Sequence, residues 1–196
     1  MSTVLPLSFK AERRYLHGSD FFQVLSDWAV SEYGSEAYLS RLSFRRLARN
    51  CCLVVLEKSS ADLLVGEGEV TSAQGRSPFW LIETDKPVTE RCPFEETGIT
   101  AGMVLREKER VAELSEINGN AIDEVIFLTK QLNYAISPEV DGNWLFGQLQ
   151  LEMPLQRAGR PLRIVMRSLL ANRFSVNDIY YGDQRVGNIR FIVGKP

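Results

Sequence analysis

The chain has 196 residues, 44% of them hydrophobic and 24% charged, which is ordinary for a folded protein and enough for one sizeable core or two small ones. Its formal charge of -2 excludes general nucleic-acid binding, which needs a basic surface against phosphate. Three cysteines without a CxxC pair and a single histidine exclude a disulfide framework and argue against a zinc site, so reduced thiols in the cytoplasm are expected.

The N-terminal stretch MSTVLPLSFKAERR has a proline and mixed charges where a secretion signal would need an apolar core. VLPLSFKAERRYL reads as a first strand. A helix follows from about Asp20 to Gly34, with Ser19 or Asp20 as its cap and Gly34 as its stop. Phe21, Phe22, Leu25, Trp28, Ala29 and Tyr33 make a face broad enough to bury most of its circumference. Four strands come next: AYLSRLSFRRL, CCLVVLEK, DLLVGEGEVT and PFWLIET, separated by turn signals at ARN, KSSAD and SAQGRSP. CCLVVL is the strongest apolar run and is too short to cross a bilayer, so no membrane association is expected. VGEGEV lacks the lysine and helix of a phosphate-binding loop, and its glycines read as a bulge in a curved sheet.

The order then repeats. After the bridge KPVTERCPFEETGITAG, VLREKERVAEL reads as a strand and Asn120 to about Ser137 as a helix, with Ala121, Ile122, Val125, Leu128, Leu132 and Ile136 on its apolar face. SPEVDGN is a turn, and WLFGQLQLEMPL, PLRIVMRSLLA, FSVNDIYY and VGNIRFIVG read as four strands. A period of roughly one hundred residues is too long for a solenoid and fits a duplicated domain. YLHGSDFFQVL aligns with EINGNAIDEVI, which sets His17-Gly18 on Asn118-Gly119; SFRRLARNCCLVV aligns with LEMPLQRAGRPLRIV. The expected organisation is a first module at residues 1–87, a linker at 88–102 and a second module at 103–196. The expected class is α+β: two tandem β-α-β-β-β-β modules, each an antiparallel sheet wrapped around a long buried helix.

Each half resembles the hotdog fold of acyl-thioester thioesterases and hydroxyacyl dehydratases, and the whole resembles a double hotdog of the thioesterase / thiol ester dehydratase-isomerase superfamily. The second half carries the strand rhythm in LEMPLQRAGRPLRIVMRSLLANRFSVNDIYYGDQRVGNIRFIVG. The first half carries LHG just before a helix with VLSD inside it, similar to thioesterases with a His-Gly turn and a helical Asp. The dehydratase signature, a His-Phe-Pro-Gly turn with a downstream helical Glu, is absent, and so is the hydratase Asp and His around an Asn-Pro turn.

The resemblance implies a substrate tunnel with two pseudo-equivalent sites. One joins His17 and Gly18 to Thr129, with Asp123 or Glu124 nearer the helix start. The other joins Asp27 to Asn118 and Gly119. Leu128 occupies the position that matches Asp27, so His17 lacks the family's acidic partner. The implied activity is acyl-thioester processing, foremost hydrolysis, with Asp27 or His17 as base and amides at Gly18 or Gly119 as oxyanion donors. Two alternatives stand beside it: a 3-hydroxyacyl thioester dehydratase built on His17, as in fatty acid or polyketide metabolism, and a non-catalytic acyl-binding or scaffold protein with degenerate sites. No cofactor is implied beyond the coenzyme A or phosphopantetheine of the substrate. An acyl carrier protein and a second copy of the chain are the macromolecular partners that the resemblance allows.

Plainer readings compete for the same residues. His17 can bridge a strand-to-helix turn, Asp27 can lie on a solvated helix face, and Asn118-Gly119 can be a turn. Arg41, Arg45, Arg46 and Arg49 could meet a phosphate or an acidic carrier, but charges on an edge strand more often block edge pairing. Trp28, Phe79, Trp80 and Trp144 read as core or tunnel wall.

Overall fold

The computed structural model describes residues 2–58, 63–155 and 159–195. Most of the KSSAD turn and the QRA of the second module's turn lie outside them. The chain divides into two compact units, Met1–Phe94 and Glu95–Pro196.

The first unit contains β1 (Ser2–Val4), β2 (Phe9–Lys10), α1 (Gly18–Tyr33), β3 (Tyr38–Phe44), β4 (Asn50–Val55), β5 (Leu64–Ser72), β6 (Gly75–Pro87) and β7 (Arg91–Cys92). Its main sheet runs β1-β4-β6-β5-β3, antiparallel throughout. The expected single N-terminal strand is two short ones. Pro6 has no amide for a ladder, and the Leu7 amide turns back onto the Leu5 carbonyl at 2.9 Å. The second fragment, β2, pairs in parallel with β7, inside the stretch expected to be linker.

The helix begins two residues earlier than its apolar pattern implied, and its N-cap is His17 rather than Ser19 or Asp20. It packs on β3 with one face, which buries Phe21, Phe22, Leu25 and Ala29 and leaves Val30 exposed. Trp28 meets the fully buried Phe79 edge-on, ring centroids 5.5 Å apart. The VGEGEV glycines admit β3 at close range: a Cβ on Gly66 would stand 2.5 Å from the Ser43 carbonyl oxygen, and one on Gly68 2.5 Å from that of Arg41. The register slips between Leu64 and Gly66, the bulge expected there.

The second unit contains β8 (Val104–Arg106), β9 (Val111–Leu114), α2 (Ala121–Ile136), β10 (Asn143–Leu151), β11 (Leu162–Leu170), β12 (Phe174–Tyr181) and β13 (Gln184–Gly194). Its sheet runs β8-β9-β11-β12-β13-β10. VLREKERVAEL is a hairpin rather than one strand, because the chain reverses at Arg110, whose φ of 58° and amide bond to the Glu107 carbonyl close a turn. The α2 helix packs against β9, β10, β11 and β12 and is buried at every position from Ile122 to Thr129. The wrapped helix expected of both modules is thus fully realised in the second.

The two units share element order but not sheet order. In the second, consecutive hairpins place β11, β12 and β13 side by side. In the first, β6 lies between β4 and β5: its residues 80–87 pair with β4 and its residues 75–82 with β5. The duplication is therefore one of composition and element order, with a different path through the last three strands.

Candidate functional site at the start of the first helix

His17 is placed by two tethers. The Leu16 amide donates to the Ala48 carbonyl at 2.8 Å, and the β2–β7 ladder holds the segment before it, with the Ala11 amide on the Cys92 carbonyl at 2.9 Å. The backbone of His17 is extended (φ -82°, ψ 140°), and its carbonyl accepts the amides of Asp20 and Phe21 at 3.1 and 3.3 Å. The side chain does not cap the helix. Its Nδ1 instead stands 2.8 Å from Ser19 Oγ.

That hydroxyl is buried and also receives Lys10 Nζ at 2.9 Å. Lys10 is itself buried, pairs with Asp20 Oδ1 at 2.8 Å, and lies 4.1 Å from the centre of the Phe94 ring. The Phe94 ring also tilts against His17, centroids 6.4 Å apart. A carboxylate in the first turn of a helix is favourable in its own right, and here it anchors the ammonium that orders Ser19. Ser19 and Asp20 did not become caps because their side chains are committed to Lys10. Gly18 opens the helix, and its amide is among the first-turn donors that have no intrahelical acceptor. Ser19 was visible in sequence as a neighbour of His17. Lys10 was not, since only the β2–β7 pairing brings it to the helix start.

The corresponding start of α2 is built for a different purpose. Glu124, fully buried, accepts the amides of Asn118 at 2.7 Å and Gly119 at 3.0 Å with Oε1, and pairs with Arg160 through Oε2. Asn118 turns its side-chain NH2 onto the carbonyls of Ala101 and Ile99, at 2.8 and 3.3 Å. Asn120 caps the helix by accepting the Asp123 amide at 2.8 Å and donating to the Asp123 carboxylate at 2.7 Å. The Gly119 amide, expected as an oxyanion donor, serves a carboxylate from its own helix, as in a capping box. Asn118 is a strut for the preceding loop.

Asp27 is exposed, and its carboxylate lies 3.4 Å from Gln23 Nε2 on the same helix. Thr129 is fully buried and donates its hydroxyl to the Val125 carbonyl one turn back, at 2.6 Å. His17 and Thr129 belong to different units, as do Asp27 and Asn118. Among the described residues, no group of three His, Cys, Asp or Glu side chains converges as a metal site would.

The arginine group is largely internal bracing. Arg41 and Arg45 pair with Glu67 at 3.5 and 3.2 Å, and Arg46 pairs with Glu83. Burial works against the Glu83 carboxylate, but amides of Arg49 and Asn50 at 2.6 and 2.8 Å, with Arg46, outweigh it and hold its pKa below the usual carboxylate value. Beside it, burial foremost and then the Glu83 charge push the Cys52 thiol up to about 12.

A long helix against an antiparallel sheet, twice in one α+β chain, is the double-hotdog fold. No family model and no curated protein matches the sequence. Among solved structures, the chain is similar to a pyran synthase domain from module nine of the sorangicin pathway: 13% identity, TM-score 0.50, covering 100% of this chain and 92% of that one. It is also similar to the bifunctional dehydratase-cyclase domain in ambruticin biosynthesis, at 14% identity and TM-score 0.49 over 98% of this chain and 90% of that one. An acyl-ACP thioesterase from Bacteroides thetaiotaomicron matches at 13% identity and TM-score 0.46, over 98% and 96% of the two chains. At 13% identity the likeness to the pyran synthase domain is one of fold. Among the described residues, no helix is long and apolar enough to cross a membrane.

Proposed function

We propose that the chain processes an acyl thioester, carried by coenzyme A or by the phosphopantetheine arm of an acyl carrier protein, and that the reaction is hydrolysis at the start of α1. The observation that carries this is the fixed imidazole of His17. A buried lysine and a buried serine order one half-buried histidine that does no capping of its own, beside the first-turn amide of Gly18. In such a site an imidazole N–H and a helix-start amide can share the thioester carbonyl oxygen as negative charge develops on it. Water adds to the carbonyl carbon, the C–S bond breaks as one proton of that water passes to the departing sulfur, and the acid and the free thiol leave. Dehydration of a 3-hydroxyacyl thioester would need a further proton-carrying group to expel the hydroxyl, and Asp20, three residues on from His17, is committed to Lys10. Asp27 lies about 15 Å further along the helix at 1.5 Å per residue, so it is a separate candidate for activating water.

The test is thiol release from a panel of acyl-CoA and acyl-carrier-protein substrates. His17→Ala should lower kcat/KM by about 10²-fold, with Asp27→Asn close to wild type. Loss with Asp27→Asn alone would move the reaction to the exposed carboxylate. Conversion of 3-hydroxyacyl substrates to enoyl products without thiol release would make the protein a dehydratase. Binding of acyl thioesters without turnover would make it a non-catalytic acyl-binding protein.

A further inference from the structure

We propose that Ser19 and Lys10 are positioning residues that hold His17 as its Nε2–H tautomer, so that this histidine meets a substrate as a hydrogen-bond donor and not as a base. The tautomer follows from the accounting at one oxygen. Ser19 Oγ, in a residue 1% exposed, has two partners among the described residues: Lys10 Nζ at 2.9 Å and His17 Nδ1 at 2.8 Å. An ammonium can only donate, so it takes one of the lone pairs of the hydroxyl. The hydroxyl proton then has a single acceptor, the Nδ1 lone pair, and a neutral imidazole that accepts at Nδ1 carries its proton on Nε2. The opposite tautomer would aim two donors at one oxygen and strand a buried hydroxyl proton, which is costly.

The same accounting argues against Ser19 as a nucleophile, since its oxygen is buried and held by an ammonium that Asp20 anchors at 2.8 Å. For the proposed reaction, Nε2–H can polarise a thioester carbonyl directly. It cannot take a proton from the α carbon, because no lone pair is available at that nitrogen. The arrangement therefore argues against a dehydration that uses His17 as its base. That functional half rests on the acyl-thioester reading above, whereas the tautomer does not.

The chain has one histidine, so a long-range proton–nitrogen NMR correlation of the full-length, 15N-labelled protein contains one imidazole. It should be recorded at about pH 9, well above the ordinary histidine range. The expected result is a protonated Nε2 and a bare Nδ1 whose resonance is displaced by an accepted hydrogen bond. Ser19→Ala should move Nδ1 to the position of an unbonded acceptor and raise the minor tautomer several-fold, and Lys10→Met should act in the same direction. Ser19→Thr, which keeps the hydroxyl, should retain the wild-type pattern. A wild-type spectrum with the proton on Nδ1 overturns the proposal, and so does a Ser19→Ala spectrum identical to wild type. The wild-type measurement decides even where a variant does not fold. Reversed tautomers with His17-dependent thiol release would sink this inference and spare the thioesterase reading. The expected tautomer with thiol release indifferent to His17 would do the opposite.

Discussion

Glu124 Oε1 accepts the Gly119 amide at 3.0 Å from a side chain with no exposed surface, while its other oxygen pairs with Arg160, 36 residues away in sequence. A buried charge held by two amides and a guanidinium is expensive to break from one side only. Glu124→Ala should destabilise the protein by about 3 kcal/mol, because Arg160 loses its partner and two amides lose their acceptor. Urea unfolding of Glu124→Ala, Arg160→Met and the double variant checks this: the double should cost less than the sum of the singles. Thiol release per folded molecule should stay near wild type, since the reaction is proposed at the other helix.

Glu83 makes stability depend on acid in a defined direction. Its carboxyl has a lower pKa in the fold than its ordinary 4.5, so its stabilising contribution is complete above that value and is lost as pH falls through the lower, folded value. Glu83→Gln should cost roughly 2 kcal/mol near neutrality, as charge-assisted bonds become neutral ones. The gap between wild type and variant should close as unfolding is repeated at progressively lower pH. A gap that widens in acid would mean the carboxylate is not held in its charged form.

The thiol of Cys52 is buried and raised to about 12, whereas Cys51 and Cys92 are half-buried. Thiolate is the reacting species. A maleimide at about pH 8, where an ordinary thiol is partly ionised, should therefore leave Cys52 unmodified in the native protein, and peptide mass mapping would locate the label. In denaturant all three cysteines should react. Native labelling of Cys52 at the rate of Cys51 would contradict its placement.

Two glycines separate steric from conformational roles. At Gly68 a Cβ would stand 2.3 Å from the Phe79 ring and 2.5 Å from the Arg41 carbonyl oxygen, so Gly68→Ala must part β3 from β5 and should cost about 3 kcal/mol or prevent folding. At Gly34, φ is 96° and ψ 168°, a region essentially reserved to glycine, and nothing lies within 4 Å, so Gly34→Ala meets only backbone strain of about 2 kcal/mol. Thermal melts of the two variants should differ accordingly.

Much of the first-helix site was legible in LHGSD, because a lone histidine before a glycine and an apolar helix is a local pattern. The partners of His17 were less so. Ser19 was read as a helix cap, and nothing in the spacing between Lys10 and the helix marked a lysine that would be buried. The start of the second helix was less legible for a related reason: nothing in Asn118-Gly119 marks that Glu124 reaches back five and six residues to accept both amides. A glutamate in a first helical turn is common, and its spacing alone does not tell which amides it will satisfy.

Element order and the two apolar helix faces follow from periodicity, which is local: each residue's burial is coupled to neighbours two, three or four positions away. The sequence by itself therefore determined two helix-and-sheet modules in one α+β chain. The path β4-β6-β5, the β2–β7 ladder that carries Lys10 to Ser19, and the closure of Arg160 on Glu124 were decided only in three dimensions. Those contacts join residues whose separation along the chain carries no period, and they form where buried polar atoms must find partners among whatever the folded sheets bring near.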